Sequence, residues 1–176
     1  MSDSKKKAEE KAANKEQSIE DKCQVIADIV NHLCNEYNEK YSKTAKAFLE
    51  TVIGAAIFYV YNLNGKDWCE GKIIVSEEAK KQKEFCADHI IPRKEAASLL
   101  LKEKELTKND IYNLLRDKFC RVVYLTKKEN SSFIKKEIKD LDTLFSFDSL
   151  RGMYEEQGNI ILTRITEKEF KKLKTK

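Results

Sequence analysis

The residues with the most chemistry to offer sit in the stretch Cys86-Ala87-Asp88-His89-Ile90-Ile91-Pro92-Arg93-Lys94, which holds one of two histidines and the only proline. A neutral imidazole can take a proton from water near physiological pH, and a carboxylate beside it can hold a hard divalent cation. Further along, Val123-Tyr124-Leu125-Thr126 delivers Glu129 and Asn130 into the start of a helix. A base for water, and carboxylate and carboxamide oxygens for a cation, are the parts that phosphodiester hydrolysis requires. Each residue also has an ordinary structural use. Asp88-His89 can be a strand-end pair facing solvent or bonding the backbone, and Asn130 a helix residue without a ligand role. Glu129 can complete a capping box opened by Thr126.

The other reactive side chains are less organised. His32 lies beside the apolar run Ile29, Leu33 and Cys34, the place of a helix-flank residue. The five cysteines (Cys23, Cys34, Cys69, Cys86, Cys120) are odd in number and never closer than eleven residues. No C-x-x-C pair exists, so a sequence-local zinc knuckle is unsupported, and Cys69, Cys86 and Cys120 could meet at a metal only through the fold. Reduced, mostly buried thiols and a polar opening, MSDSKKKAEEK, without a secretory segment, lead to the expectation of a cytoplasmic protein. Tyr59, Tyr61 and Trp68 read as packing residues rather than base-stacking platforms.

The elements that must position these residues follow from periodicity. The chain has 176 residues, 41% hydrophobic and 36% charged, enough for one domain with a core and a heavily solvated surface. Residues 1–17 are polar throughout and read as a disordered arm or a solvated helix extension. Ser18 with Asp21 resembles a capping signal, and Ile19, Cys23, Ile26, Ile29, Val30, Leu33, Cys34 and Tyr37 recur at helical spacing. A second helix through Val52–Tyr61 is apolar on all sides. It is too short to span a bilayer, which takes ~20 residues, so it reads as a central core helix ended by Asn62–Gly65. No membrane association is expected.

Short strands are expected at Lys72–Val75, Ala87–Ile91 and Cys120–Thr126, with a last one within Gly158–Ile165. Helices are expected after Ser76, over Lys94–Lys104, after Thr107 and after Thr126. The fold class is therefore α+β, predominantly helical, with a helical part over 18–65 and an α+β module over 66–165. The net charge of +4 is matched by Arg164–Lys176, which carries six basic residues against two acids. This basic tail, 166–176, is either a phosphate-contacting element or a frayed terminus.

Asp88-His89-Ile90-Ile91-Pro92 resembles the D-H-[IV]-[IV]-P signature that opens HNH endonucleases, the ββα-metal or His-Me finger family. Val123 to Asn130 is similar to that family's second strand and metal-binding helix, and the resemblance covers Phe85 to Lys136. It implies a small, interrupted ββα-metal-like module over about 73–138. In that module His89 would be the general base, and Asp88 and Asn130 the ligands of one divalent cation, Mg²⁺ or Mn²⁺. Arg93, Lys94 and Arg121 would contact phosphates. The implied activity is metal-dependent cleavage of phosphodiesters in nucleic acid, DNA rather than RNA, by a phage, mobile-element or defence nuclease.

The chain departs from the family pattern in three respects. The motif's central Asn or His falls on Arg121 or Val122, 42 residues separate Asp88 from Asn130, and no zinc-binding C-x-x-C pairs flank the module. Two other readings stay open: a non-catalytic nucleic-acid- or protein-binding regulator or inhibitor, and a metal-independent ribonuclease toxin using His89. Oligomeric state is not legible.

Overall fold

The computed structural model describes residues 3–60, 71–133 and 146–175. The turn expected at Asn62–Gly65, the side chains of Tyr61, Trp68 and Cys69, and residues 134–138 of the expected ββα core lie outside the described residues. The architecture is α+β and predominantly helical, and the chain divides into two compact units. The first comprises Met1–Leu63 and Ile91–Arg116; the second comprises Asn64–Ile90 and Asp117–Lys176. This differs from a helical part over 18–65 followed by one module over 66–165. The reason lies in residues 91–116, whose apolar side chains pack on the N-terminal helices.

Four helices build the first unit: α1 (Asp3–Glu39), α2 (Lys43–Val60), α4 (Arg93–Lys102) and α5 (Lys108–Leu114). The helix α1 runs unbroken from Asp3, so Ser18 is not its start. The Lys, Glu and Ala of the polar opening are strong helix formers and carry the helix upstream. Cys23, Ile26, Ala27, Val30, Cys34 and Tyr37 form its buried stripe. The helix α4 buries Ala96, Ala97, Leu100 and Leu101, and packs on α1 and α2. Its approach to α2 is close enough that a Cβ at Gly54 would lie 3.2 Å from the Arg93 carbonyl oxygen. Tyr37 ties three helices together: its hydroxyl donates to Glu50 Oε1 at 2.7 Å and lies 3.0 Å from Ser98 Oγ.

The second helix is not a central core helix, contrary to its composition. Ile53, Gly54, Ile57 and Val60 are buried, but Phe48, Val52, Phe58 and Tyr59 are exposed. A four-helix unit covers only one side of each helix, so an all-apolar helix keeps an apolar outer face. Among the described residues, no helix is long and apolar enough to cross a membrane.

A four-stranded mixed sheet carries the second unit. Its strands are β1 (Lys72–Ser76), β2 (Cys86–His89), β3 (Val122–Leu125) and β4 (Leu162–Thr166), in the order β2-β3-β1-β4. The strand β3 is antiparallel to β2 and parallel to β1, and β4 is antiparallel to β1. Three strands end on a hydroxyl that caps the next helix. Ser76 caps α3 (Glu77–Gln82), Thr126 caps α6 (Lys127–Ser132) and Thr166 caps α8 (Glu167–Lys174). The helix α7 (Phe147–Gly158) was not anticipated, and a five-residue π-helix (Leu115–Phe119) precedes β3.

Side-chain alternation gives the sheet two covered faces. On one, Ile74, Val123, Leu125 and Leu162 pack with Leu150 and Tyr154 of α7. On the other, Ile73, Val75 and Ile165 pack with Phe170 of α8, and Phe85 and Tyr124 join them. The basic tail is therefore folded. Phe170 anchors it against the rings of Tyr124 and Phe85, at centroid distances of 4.6 and 4.9 Å.

Candidate functional site

The strand β2 is one edge of the sheet, and its register with β3 decides where its side chains go. Cys86 lies opposite Leu125 and Asp88 opposite Val123, which places both on the face covered by α7. Ala87 and His89 alternate to the other face, opposite Tyr124 and Val122. Pairing continues one step beyond the strand, where the Ile90 amide donates to the Arg121 carbonyl at 3.0 Å. Pro92 then starts α4, and the chain enters the helical unit.

Asp88 is engaged by the helix that sequence periodicity missed. The Tyr154 hydroxyl donates to Asp88 Oδ2 at 2.5 Å. Tyr154 is fully buried, and its ring stacks on Phe133 with centroids 4.4 Å apart. Burial first, and then the charge and hydrogen bond of Asp88, push the Tyr154 phenol well above its ordinary value. The phenol is therefore a fixed hydrogen-bond donor.

Asn130 does come back to β2. Thr126 caps α6, and Glu129 closes the capping box by accepting from the Thr126 amide at 2.8 Å. Ser76 Oγ at the end of β1 donates to the same Glu129 oxygen at 2.7 Å. Ser76 and Thr126 are both buried, so this network fixes the start of α6 against the ends of two neighbouring strands. One turn on, the Asn130 amide donates to Cys86 Sγ at 3.4 Å. Cys86 and Asp88 are alternate residues on one face, ~6.6 Å apart at the usual strand rise. The unit thus joins Cys86, Asp88, Asn130 and Tyr154 along one face of an edge strand.

The remaining expected site residues fall elsewhere. His89 is half-buried at the end of β2, with its Nε2 atom sealed from solvent. Arg121 is half-buried and its Nε is likewise sealed. Arg93 and Lys94 are exposed in the first turn of α4 and belong to the helical unit. There the Arg93 guanidinium stacks over Phe58 at 4.9 Å, and Lys94 Nζ lies 3.9 Å from Glu50 Oε2.

Among the described residues, no three His, Cys, Asp or Glu side chains converge as a metal cluster. The Asn130 carboxamide reaches Cys86, two residues before Asp88 on the same strand face, and the hard oxygens available there are the Asp88 carboxylate and that carboxamide. That set fits a Mg²⁺- or Mn²⁺-like ion, which keeps several waters and takes few protein ligands. Sequence reasoning missed Tyr154 altogether, and named Cys86 only as a possible partner of Cys69 and Cys120, not of Asn130. Cys86 was findable as the position two before Asp88; Tyr154 stands at helical spacing from Phe147 and Leu150, behind the N-cap Ser146.

No family model, curated protein or solved structure matches the chain.

Proposed function

We propose that the protein is a metal-dependent phosphodiester hydrolase acting on DNA, of the ββα-metal type that the Asp88-His89 stretch resembles. One observation carries this reading. Antiparallel β2 and β3 are followed directly by α6, and α6 returns Asn130 to the strand that bears Asp88. The helices between β2 and β3 account for the long separation of the two motifs.

Asp88 and Asn130 would hold the cation, with Tyr154 orienting the carboxylate from behind and the Ser76–Thr126–Glu129 network holding α6 in place. When bound, the ion supplies charge neutralisation at the scissile phosphate. His89 is the only histidine of the second unit and its natural base for water. Because Nε2 is sealed in this conformation, accepting a proton there requires the ring to turn outward. Exposed Lys168, Lys171 and Lys172 on α8 would add backbone affinity that falls steeply with salt.

The sealed Nε2 also favours a second reading, a non-catalytic nucleic-acid- or protein-binding module in which Asp88 and His89 are structural. Incubating plasmid and RNA with the protein in Mg²⁺, Mn²⁺ or EDTA separates these readings. The hydrolase reading expects EDTA-sensitive nicking that drops by at least ~100-fold in His89→Ala and is also lost in Asn130→Ala. Cleavage that persists in EDTA overturns it in favour of a metal-independent ribonuclease. Binding without cleavage in every metal overturns it in favour of the module.

A further inference from the structure

Among the described residues, the helical unit presents an apolar stripe on its outer side. We propose that this stripe is a self-association surface, on which α2 of one copy lies antiparallel against α2 of a second copy about a two-fold axis. Phe48, Val52, Ala55 and Tyr59 recur at i, i+4, i+7 and i+11 and so share one face of the helix. All four are exposed, Phe48 at 72%, Val52 at 46% and Tyr59 at 71%. The opposite face, Ile53, Gly54, Ile57 and Val60, is the one buried within the unit. The last charged residue of α2 is Glu50, so from Thr51 to Val60 no charge would have to be desolvated.

The neighbouring helix widens the stripe. Contacts of Lys22 with the Tyr59 carbonyl and of Tyr37 with Glu50 show that α1 and α2 run antiparallel. Val25, 56% exposed, lines a shallow groove with Tyr59, and exposed Ile29 lies one turn further along α1. At ~150–250 Å² for a whole aromatic side chain, the exposed apolar area is about 600 Å² per copy. That is the upper end of what a monomer leaves open, ~300–600 Å². With a polar rim it approaches the ~800 Å² each partner contributes to a standard interface.

The order of residue sizes selects a second copy as the occupant. Large side chains stand at both ends of the stripe and smaller ones in the middle: Phe48, Val52, Ala55, Tyr59. The pattern matches its own reverse. In an antiparallel pair Phe48 meets Tyr59 of the other copy, and Val52 meets Ala55, whose single methyl lets the helices close. Such self-complementarity is what an isologous two-fold interface requires. Each copy contributes a two-helix hairpin, so the interface is a four-helix arrangement.

Sedimentation of the full chain from low to high micromolar concentration tests this. The expected result is a mass that rises to twice that of the monomer and stops there. Val52→Glu and Phe48→Glu should hold the monomer mass with unchanged far-ultraviolet circular dichroism. Ile161→Glu, an exposed apolar position of the sheet unit, should still form the two-chain species. An equimolar mixture of Val52→Glu and Val52→Lys should recover it, because in this register the two side chains lie within one helical turn of each other across the axis. A native chain that stays monomeric overturns the proposal, as it would if residues 61–70 or another partner covered the stripe. Growth beyond two copies, or a two-chain species that both Glu variants leave intact, overturns it equally.

Discussion

Tyr59 and Tyr154 show opposite habits in the two units. Tyr59 stands 71% exposed on a helix that turns an apolar stripe outward, whereas Tyr154 is fully buried with its hydroxyl on Asp88. The helical unit places apolar surface outside; the sheet unit places polar groups inside, where Ser76, Thr126 and the His89 Nε2 are sealed as well as the Tyr154 hydroxyl. Both habits run against the usual partition, and they point to different things. Exposed apolar area is stabilised only by association, while buried polar groups persist only where hydrogen bonds satisfy them. The surface to test for a macromolecular partner is therefore on the first unit, and the groups to test for chemistry are in the second.

The sharpest way to break this contrast is to truncate both tyrosines. Tyr154→Ala removes a ring stacked on Phe133 and should cost about 3–5 kcal/mol. Tyr59→Ala, compared at concentrations where the chain is monomeric, should stay within ~0.5 kcal/mol of the native protein. Urea unfolding midpoints at neutral pH measure both, and comparable losses would mean that Tyr59 is not an outer residue. Tyr154→Phe sharpens the point. It keeps the stacking and removes only the donor to Asp88, for an expected loss of ~1–2 kcal/mol. A neutral Tyr154→Phe would show that the hydroxyl is held there for something other than stability.

A smaller effect separates two capping boxes that look alike in sequence. Asp110 in the helical unit accepts from Thr107 alone and is exposed. Glu129 in the sheet unit accepts from Thr126 and also from Ser76, which is itself buried. Glu129→Ala should therefore cost ~1–3 kcal/mol, since it removes a cap and leaves a buried hydroxyl without its acceptor. Asp110→Ala should cost less, because water replaces the lost acceptor. If the two variants unfold at the same denaturant concentration, the Ser76 bond contributes nothing and α6 is not held by the sheet.

How much of this was legible follows the range of the interactions. The strands β1 and β3 and the caps at Ser76, Thr107 and Thr126 were readable because their signals lie within a few residues. The outer face of α2 was not, because an all-apolar helix carries no periodicity to say which side is covered. The unit boundary was not readable either: the apolar face of α4 shows that it packs, but not on which core. In the candidate site, Asp88, His89 and Asn130 could be named from residue type and spacing. That Asn130 meets Cys86 and that Asp88 meets Tyr154 depends on strand register, across 44 and 66 residues of chain. Burial of His89 Nε2 is a property of the packed sheet unit and leaves no trace in the dipeptide.

The weakest expected effect concerns a thiol buried in the helical core. Cys23 lies on the buried stripe of α1, and burial, reinforced by the Glu20 carboxylate, pushes its thiol up to about 11 from an ordinary 9.0. In the unfolded chain the thiol loses its proton near 9, while in the folded protein it keeps it until about 11. Over that window the unfolded state binds fewer protons than the native state, so stability falls as pH rises and is untouched below it. Unfolding measured from pH 8 upward should show this decline, and Cys23→Ala should flatten it at the expense of a small cavity. In the same range the native thiol should react with alkylating reagents more slowly than Cys86, the half-buried cysteine at the sheet edge. Equal reactivity of the two would place Cys23 within reach of solvent and remove the burial to which its raised titration is assigned.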